Sequence, residues 1–451
     1  MKITVIGAGK VGRTLCEQLC GEGHDVTAID LSDELLSTLD SRLDIQCVSG
    51  NAASKKVQIE AGVPGSDLTI AVTASDEINI LCCLLSKKLG ARSTIARVRN
   101  PEYAEQLSFL RDDLGLSMTV NPELAAAEEI SRTLRIPSAI KVDSFAKGRV
   151  EMIEWRVAKD SPLCGTRLFE LYAKYRFKIL ICAVKRGDGV YIPTGDFMLE
   201  GGDIIFITAS PKNIERFFAT VGVSNKRIKH VMIVGGGKIA YYLAKQLNAA
   251  GMKTKIIERD ANRCRALCVQ LPNSTVICGD GLSQDILEEE GIADADAFIT
   301  LTDIDELNII AAMFAGKRGV KKVVAKVTRA PFGEIIADSG IETTVSPKEV
   351  TANQIVQYVR AMRNSLHSNV ETLYKLFNGS LEALEFRVID ELPFLGVTLK
   401  DLNLKPNILI AAINRDNTVI IPGGSDSIRL GDSVIVVTTH SKLNDISDII
   451  A

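Results

Sequence analysis

The sequence predicts an α/β protein made of two doubly wound parallel-sheet domains, each followed by a small α+β domain. The first observation behind this prediction is a glycine-rich stretch that occurs twice, as GAGKVGR at residues 7–13 and as GGGKIAY at residues 235–241. The second is that short β-branched runs alternate with longer helical patterns after each copy of the stretch, which is typical of parallel strands joined by crossover helices. The third is a set of short strand patterns with Gly and Asp turns at the end of each half.

The repetition extends well beyond the glycines. Placing Gly7 on Gly235 gives an offset of 228, and the alignment then runs without gaps over 28 positions, of which eight are identical. Further along, DLTIAVTASDEINI (67–80) matches DAFITLTDIDELNI (296–309) at an offset of 229, with seven of 14 positions identical. Two separated matches at nearly one offset indicate an internal duplication.

Each half contains two domains, because the segments after the alternating regions also resemble each other, as in SPLCGTRL (161–168) and LPFLGVTL (392–399). Candidate boundaries lie near Pro137 and in the polar stretches 222–230 and 364–369. The four predicted domains are residues 1–136, 137–222, 228–364 and 365–451.

Composition narrows the classes of function. The chain has 451 residues, 46% hydrophobic and 24% charged, with a net charge of −3 and no basic block, so we expect no binding to nucleic acid. The longest apolar runs are far shorter than the roughly 20 residues that span a bilayer. The N-terminus opens directly into a strand pattern without a signal peptide, and we therefore expect a cytoplasmic protein.

Cysteine and histidine give little sign of metal binding or catalysis. None of the ten cysteines forms a CxxC pair, so no metal site is expected. Cys16 and Cys20, like Cys264 and Cys268, are four residues apart on predicted helices and are expected to be small buried side chains. The four histidines lie before strands or outside the parallel-sheet domains, and none is placed for acid–base catalysis.

The first glycine-rich stretch is a G-x-G-x-x-G motif between a predicted strand and an amphipathic helix, which predicts a Rossmann-like nucleotide site. Gly7 permits the tight turn, Gly9 lets a pyrophosphate approach the backbone, and Gly12 lets the helix pack closely on the strand. Asp30 ends the next strand, where a carboxylate accepts hydrogen bonds from ribose hydroxyls. Because it would repel a 2′-phosphate, NAD or an adenine nucleotide is favoured over NADP.

The second copy keeps Gly235, Gly237 and the acidic Glu258 but has Ala240 for the third glycine. Arg13 of the first copy is replaced by tyrosine, and only a guanidinium can clamp a phosphate in bidentate fashion. Our hypothesis is that both copies bind a nucleotide and that only the first binds additional phosphate charge. The alternative is a second Rossmann unit that is degenerate and empty.

The segment VTASDEIN (72–79) ends a strand and begins a helix. Ser75 is expected to cap that helix, and Thr73 and Ala74 are expected to border the ligand at the carboxyl edge of the sheet. Arg97 ends a later strand and has Lys326 as its counterpart. These two are either surface cations or contacts to a phosphate or an interface.

Nucleotide binding without a catalytic acid–base group favours sensing over chemistry. The alternatives are an NAD-dependent oxidoreductase whose small domains bind substrate, and a scaffold with vestigial sites.

The motifs GAGKVGR, SGNAASKKVQIEAG, TIAVTASDEINI and ARVRNPEY, with the order of the four domains, resemble the TrkA family, which is built from RCK (regulator of potassium conductance) domains. The resemblance covers essentially the whole chain. It implies RCK N-type Rossmann domains alternating with RCK C-type domains. It also implies a non-enzymatic regulator at the cytoplasmic face of the membrane that binds NAD(H) and other adenine nucleotides, with ATP and ADP as further candidates. Its partner would be an integral membrane potassium transporter subunit of the Trk or Ktr type.

The resemblance further implies a homo-oligomeric ring, a dimer or tetramer of tandem chains, and two nucleotide sites. The implied residues of the first site are Gly7, Ala8, Gly9, Lys10, Val11, Gly12, Arg13, Asp30, Asn51, Thr73, Ala74 and Arg97. Those of the second are Gly235, Gly236, Gly237, Lys238, Ile239, Glu258, Asp280, Thr302 and Lys326. The sequence departs from the family pattern at Asn51, where Gly-Asp is common and where the second copy has Gly279 and Asp280.

Overall fold

The computed structural model describes residues 1–110, 113–145, 149–175, 179–222, 227–328, 341, 343–367, 370–376, 380–416, 418–439, 443 and 445–451. They form two compact units. The first unit contains Met1–Ser131 and Lys229–Val356, and the second contains Arg132–Ile228 and Gln357–Ala451. The duplicated domains therefore associate like with like. The predicted boundary stretches 222–230 and 364–369 include residues 223–226 and 368–369, which lie outside the described residues.

The first unit holds both parallel-sheet domains. The elements of its first domain are β1 (Lys2–Ile6), α1 (Lys10–Gly21), β2 (Asp25–Asp30), α2 (Asp33–Asp40), β3 (Gln46–Ser49), α3 (Lys55–Glu60), β4 (Leu68–Ala71), α4 (Asp76–Leu89), β5 (Ser93–Arg97), α5 (Pro101–Leu110), β6 (Met118–Val120) and α6 (Pro122–Arg135).

The second parallel-sheet domain, which follows the first α+β domain along the chain, repeats this order of elements over its described residues. Between the two parallel-sheet domains, the chain forms β7 (Lys141–Phe145), β8 (Val150–Arg156), α7 (Leu168–Tyr175), β9 (Leu180–Arg186), β10 (Gly189–Tyr191), β11 (Ile204–Ala209) and α8 (Pro211–Thr220). The second parallel-sheet domain has β12 (His230–Val234), α9 (Lys238–Ala249), β13 (Lys253–Glu258), α10 (Ala261–Gln270), β14 (Ser274–Cys278), α11 (Gln284–Glu289), β15 (Ala297–Thr300), α12 (Asp305–Lys317), β16 (Lys322–Lys326), β17 (Thr343–Val345) and α13 (Pro347–His367).

The two parallel sheets have the same topology. Their strand orders are β3-β2-β1-β4-β5-β6 and β14-β13-β12-β15-β16-β17, and every pairing is parallel. This is the doubly wound order in which the strand sequence reverses beside the first strand, so a ligand crevice is expected at the carboxyl ends there. The central strands are buried on both faces, as the all-apolar or nearly apolar runs of β1 and β4 require. The predicted α/β class is confirmed.

Hydrogen bonds join the two parallel-sheet domains within the first unit. The amide Nδ2 of Asn121 donates to the Tyr242 hydroxyl at 2.9 Å, and that hydroxyl donates to the Arg99 carbonyl at 3.2 Å. In a second contact between the two domains, Gln18 of α1 donates to Asn353 of α13 at 3.4 Å. Helices α1 and α9, which follow the two glycine-rich stretches, thus each contact the opposite domain.

The second unit holds two antiparallel sheets, in the orders β10-β9-β11-β8-β7 and β18-β19-β22-β20-β21, as the predicted α+β domains require. The remaining strands are β18 (Val370–Leu376), β19 (Leu381–Arg387), β20 (Ile408–Arg415), β21 (Thr418–Ile420) and β22 (Ser433–Thr438). One hydrophobic cluster draws on both sheets, including Phe145, Met152 and Phe206 with Ala383, Ala411 and Ile435. In each domain an arginine makes bidentate hydrogen bonds of 2.7–2.9 Å to a buried aspartate. Arg186 donates to Asp203, and Arg415 donates to Asp432.

Candidate functional site

The first glycine-rich stretch forms the turn between β1 and α1. Gly7 has a φ of 102°, which disfavours other residues. A Cβ on Gly12 would lie 1.7 Å from the Gly7 carbonyl oxygen, so this helix position requires glycine. A Cβ on Gly9 would meet no atom within 4 Å, because the backbone at the start of α1 faces open space. The turn therefore offers an exposed helix N-terminus, which suits a phosphate group.

Asp30 holds this turn from the end of β2. Its Oδ2 accepts a hydrogen bond from the Ala8 amide at 2.6 Å, and its Oδ1 accepts one from the Ser32 amide at 2.9 Å. A carboxylate offers about four acceptor positions, so each oxygen keeps capacity for a ligand hydroxyl. The carboxylate thus positions the glycine turn and remains able to bind a ribose.

A buried asparagine fixes the loop that follows β4. The Oδ1 of Asn79 accepts hydrogen bonds from the Thr73 amide at 2.8 Å and from the Thr73 hydroxyl at 2.7 Å. Its Nδ2 donates to the carbonyls of Thr73 at 3.2 Å and of Arg97 at 2.9 Å. Asn79 has no exposed surface, so these four bonds lock the ends of β4 and β5 together. Ser75 caps α4 by accepting from the Ile78 amide, as predicted.

These elements border a cavity of about 890 Å³ at the carboxyl ends of the first sheet. The sequence-predicted residues on its wall are Gly7, Gly9, Lys10, Val11, Asp30, Asn51, Thr73, Ala74, Arg97, Gly237, Lys238, Ile239 and Lys326. The second glycine-rich stretch thus contributes to the same cavity as the first. The N-termini of α1 and α9 both face it, so two positive helix ends lie at one site.

Cations outnumber carboxylates on this wall. Its basic residues are Lys10, Arg97, Arg99, Lys238, Lys326 and Lys348, and its acidic residues are Asp30, Glu123 and Asp303. Burial lowers the pKa of Arg97, and the neighbouring Arg99 lowers it further. Burial also disfavours the charged form of Glu123 and so raises the pKa of its carboxyl group. Arg99 is paired with carboxylates, because its Nε lies 3.7 Å from Asp76 Oδ1 and its Nη1 lies 3.9 Å from Glu123 Oε1. Within the described part of the chain, the Nε of Arg97 is buried without a hydrogen bond.

The first copy contributes a group of apolar side chains to the wall. Leu31, Leu35 and Ile78 line it together with Asp30 and Asn51. Apolar side chains beside one carboxylate and one amide match the flat base and the hydroxyls of a nucleoside.

The second copy repeats the carboxylate contact with a difference. Glu258 Oε2 accepts from the Gly236 amide at 2.6 Å, and Oε1 accepts from the Asp260 amide at 2.8 Å. Arg263, which stands where the first copy has Leu35, donates from Nε to the Gly236 carbonyl at 2.6 Å. Asn308 also repeats the Asn79 contacts, because it holds both the amide and the hydroxyl of Thr302.

Several sequence-predicted residues are not on the cavity wall. These are Ala8, Gly12, Arg13, Gly235, Gly236, Glu258, Asp280 and Thr302. Ala8, Gly235 and Gly236 belong to the backbone turns, Gly12 lies in the first turn of α1, and Thr302 belongs to the asparagine-held loop. Arg13, predicted to clamp a phosphate, has a buried Nε without a hydrogen bond among the described residues.

The residues predicted from the sequence do not include the apolar wall, Arg99, Glu123, Lys348 or the two buried asparagines. The repeated D-E-x-N pattern at 76–79 and 305–308 was a usable signal for the asparagines. The others depend on tertiary packing, and Lys348 reaches the cavity from the second parallel-sheet domain.

The histidines and cysteines are placed largely as expected. His24 precedes β2 and His230 begins β12, at the strand ends opposite the cavity, while His440 lies outside the described residues. All ten cysteines are free, and Cys16 and Cys264 are buried as predicted. Cys20 is only partly buried, and the prediction was wrong for Cys268, which is exposed on α10. None of the described helices is both long enough and apolar enough to cross a membrane.

Comparison with known proteins agrees with this architecture. The TrkA-N domain model matches residues 3–122 and 231–347, and the TrkA-C domain model matches 152–222 and 383–451. The chain is 33% identical to a Trk system potassium uptake protein TrkA homolog of Archaeoglobus fulgidus over 100% of both chains. It is also 33% identical to the Trk system potassium uptake protein TrkA of Haemophilus influenzae, covering 98% of this chain and 96% of that one.

A solved structure described as the GsuK channel bound to NAD has the same fold, with a TM-score of 0.63 at 19% identity, over 97% of this chain and 76% of that chain. Two family models in tandem and full-length relatives at this level of identity leave one assignment: the chain belongs to the TrkA family of tandem RCK proteins.

Proposed function

We propose that the chain is a nucleotide-sensing regulatory subunit of a potassium uptake system, without enzymatic activity of its own. The observation that carries this proposal is the single cavity onto which the N-termini of α1 and α9 both open. A ligand that fills it contacts both parallel-sheet domains and so stabilises one arrangement of the pair. Full-length relatives named as Trk potassium uptake proteins support the potassium context.

The residues present fit NAD(H) or an adenine mononucleotide such as ADP or ATP. Asp30 would accept from the ribose hydroxyls, and Leu31 and Leu35 would pack against the base. The backbone at Gly9 leaves room for the pyrophosphate, and the surplus of cations balances its charge. The GsuK channel, of the same fold, was solved with NAD bound.

Regulation would follow from differential binding. A nucleotide that binds one arrangement of the two domains more tightly shifts the population towards it, and only the difference in affinity performs work on a partner. The hydrogen bonds of Tyr242 to Asn121 and Arg99 cross the boundary between the domains beside the cavity. A change in the arrangement of the two domains would act on these hydrogen bonds.

The partner in this proposal is an integral membrane potassium transporter subunit of the Trk or Ktr type, with the chain at the cytoplasmic face of the membrane. The chain would act as a homo-oligomeric ring of two or four copies. Equivalent apolar side chains support assembly: Leu81 on α4 is 48% exposed, and its counterpart Ile310 on α12 is 62% exposed. The domain limits predicted from the sequence are kept in this proposal.

The test is calorimetric titration of the full chain with NADH, NAD⁺, ATP and ADP. The variants are Asp30→Ala and Glu258→Ala, with Asp30→Asn as the matched uncharged control. Hydrogen bonds to a charged group contribute about 1.5–3 kcal/mol, so Asp30→Ala should weaken binding by roughly 10- to 100-fold. Intact folding of each variant is checked by circular dichroism.

Three outcomes separate the candidate functions. Binding that depends on Asp30, without consumption of NADH, supports the sensor. Oxidation of NADH in the presence of small acids or alcohols would instead support the oxidoreductase alternative. The absence of heat with all four nucleotides would leave a scaffold with vestigial sites.

A further inference from the structure

Two thiols meet beside the carboxylate of the second copy. Cys264 on α10 is buried, and its Sγ lies 3.2 Å from the Glu258 carbonyl oxygen and 4.0 Å from that of Ile277. The Ile277 carbonyl belongs to the peptide bond that precedes Cys278. Cys278 ends β14, is exposed, and pairs in register with Glu258. A buried and an exposed thiol are therefore neighbours at one strand end.

Their environments give the two thiols different chemistry. Burial, and after it a hydrogen bond with the Cys278 side chain, raise the pKa of Cys264 to about 11. Cys264 therefore stays a protonated thiol, while the exposed Cys278 is the one that a dissolved oxidant reaches. Among the described residues, no group of three or more His, Cys, Asp or Glu side chains is arranged to hold a metal ion, although Cys268 is nearby on α10.

We infer that Cys264 and Cys278 are a redox modification site that hydrogen peroxide converts into a reversible intramolecular disulfide. The Cys278 sulfur attacks one peroxide oxygen and the O–O bond breaks, which gives a sulfenic acid and, after proton transfer, one water. The Cys264 sulfur then attacks the Cys278 sulfur, and the S–O bond breaks with release of a second water. Two thiols and one peroxide thus become one disulfide and two waters. An added dithiol reverses the reaction by exchange.

The disulfide would tie α10 to the end of β14, next to Gly279 and Asp280. Cys264 would also lose the S–H that it donates to the Glu258 carbonyl. The first copy cannot do this, because the matching positions hold Leu36 and Ser49. The inference does not require that the second copy binds a nucleotide, so it can fail or stand independently of the proposed function.

The experiment treats the reduced full chain with a small excess of hydrogen peroxide and measures the intact mass and the tryptic peptides without reductant. Trypsin leaves Cys264 in a dipeptide and leaves Cys268 and Cys278 together in residues 266–317, so the decisive sample is Cys268→Ser. The other variants are Cys278→Ser, Cys264→Ala and, as a control in the first copy, Cys47→Ser.

The expected result is an intact mass lower by two hydrogens, with a cross-link that persists in Cys268→Ser and Cys47→Ser, disappears in Cys278→Ser and Cys264→Ala, and is reversed by dithiothreitol. Because Cys278 is exposed, its serine variant should fold even if the alanine at the buried position does not. Oxygen added at Cys278 without a cross-link would overturn the inference. Loss of the cross-link in Cys268→Ser would also overturn it.

Discussion

The two parallel-sheet domains of this chain descend from one sequence, share one topology, and differ at the place where a nucleoside would lie. Both hold the glycine turn with a carboxylate, Asp30 in the first and Glu258 in the second, at the same distance of 2.6 Å. In the first copy Leu35 lines the cavity, whereas in the second its counterpart Arg263 donates to the Gly236 carbonyl.

A duplicated motif can therefore preserve the architecture of a site while the side chains that line it change. The carboxylate contact and the asparagine-held loop shape the backbone, and both copies keep them. Leu31, Leu35 and Ile78 of the first copy line the cavity, whereas the second copy contributes the apolar side chains Ile239 and Leu301. The second copy also contributes the start of α9 to the cavity of the first.

The largest expected effect comes from the buried asparagines. Asn79→Ala would leave the Thr73 amide and the carbonyls of Thr73 and Arg97 without their partner, and Asn308→Ala would do the same in the second copy. We expect each variant to lose about 3 kcal/mol of unfolding free energy, measured by urea denaturation.

The NADH affinities of the same two variants should also differ. Asn79→Ala should weaken NADH binding at least tenfold, because Thr73 and Arg97 line the cavity, whereas Asn308→Ala should change it less. Equal losses of affinity in both variants would mean that the two copies bind alike.

The third glycine position gives the next effect. Gly12→Ala places a methyl group against the Gly7 carbonyl, and relieving this clash requires the backbone to shift. We therefore expect the free energy of unfolding to fall by about 2 kcal/mol and NADH binding to weaken. The reverse change in the second copy, Ala240→Gly, should cost about 1 kcal/mol through helix propensity alone and leave NADH binding unchanged. Thermal unfolding and titration measure the two effects. A neutral Gly12→Ala would show that the close approach is not required.

The sequence was sufficient for the parts of the site that depend on local spacing. The glycine turn, Asp30 and the Ser75 cap each lie at the end of a strand that a helix follows, so their positions follow from local periodicity. The cavity as a whole could not be predicted, because Lys238, Arg99 and Glu123 meet only when two domains pack against each other. An alignment shows that Arg263 replaces a leucine, but not that the guanidinium reaches a backbone carbonyl.

The association of like domains was also beyond sequence analysis. Neighbouring domains along the chain were the natural units to expect, yet the compact units join Met1–Ser131 with Lys229–Val356 and their counterparts with each other. The deciding contacts, such as Asn121 with Tyr242, connect residues that are far apart in sequence and have no repeated pattern.

A smaller, pH-dependent effect separates the two antiparallel domains. Burial raises the pKa of Glu154 from the ordinary 4.5 to about 7, with Lys141 opposing the rise. The folded state therefore favours the protonated, neutral form of Glu154. The stability that this protonation contributes is lost as the pH rises from 4.5 through 7. Glu154→Gln removes this loss, and we expect it to stabilise the protein by on the order of 1 kcal/mol at pH 8 and not at pH 4.

The matched control is Glu385→Gln in the second antiparallel domain. Glu385 accepts a hydrogen bond from the Ser433 hydroxyl at 2.5 Å, so its replacement should not stabilise the protein at pH 8. Denaturation curves between pH 4 and pH 8 distinguish the two variants. A similar gain for both would contradict the assignment of the pH dependence to Glu154.

The smallest effect bears most directly on whether the two copies act as one site. Lys238 belongs to the second copy but lines the same cavity as Asp30 of the first, so Lys238→Met should weaken ADP binding about three- to fivefold, or roughly 0.6–1 kcal/mol. Lys245→Met, on the same helix but off the cavity wall, should leave ADP affinity unchanged. The Lys238 effect should shrink at high salt, because a partly solvated charge is screened. If Lys10→Met lowers ADP affinity and Lys238→Met does not, the second copy has no part in holding the phosphates, and the cavity serves the first domain alone.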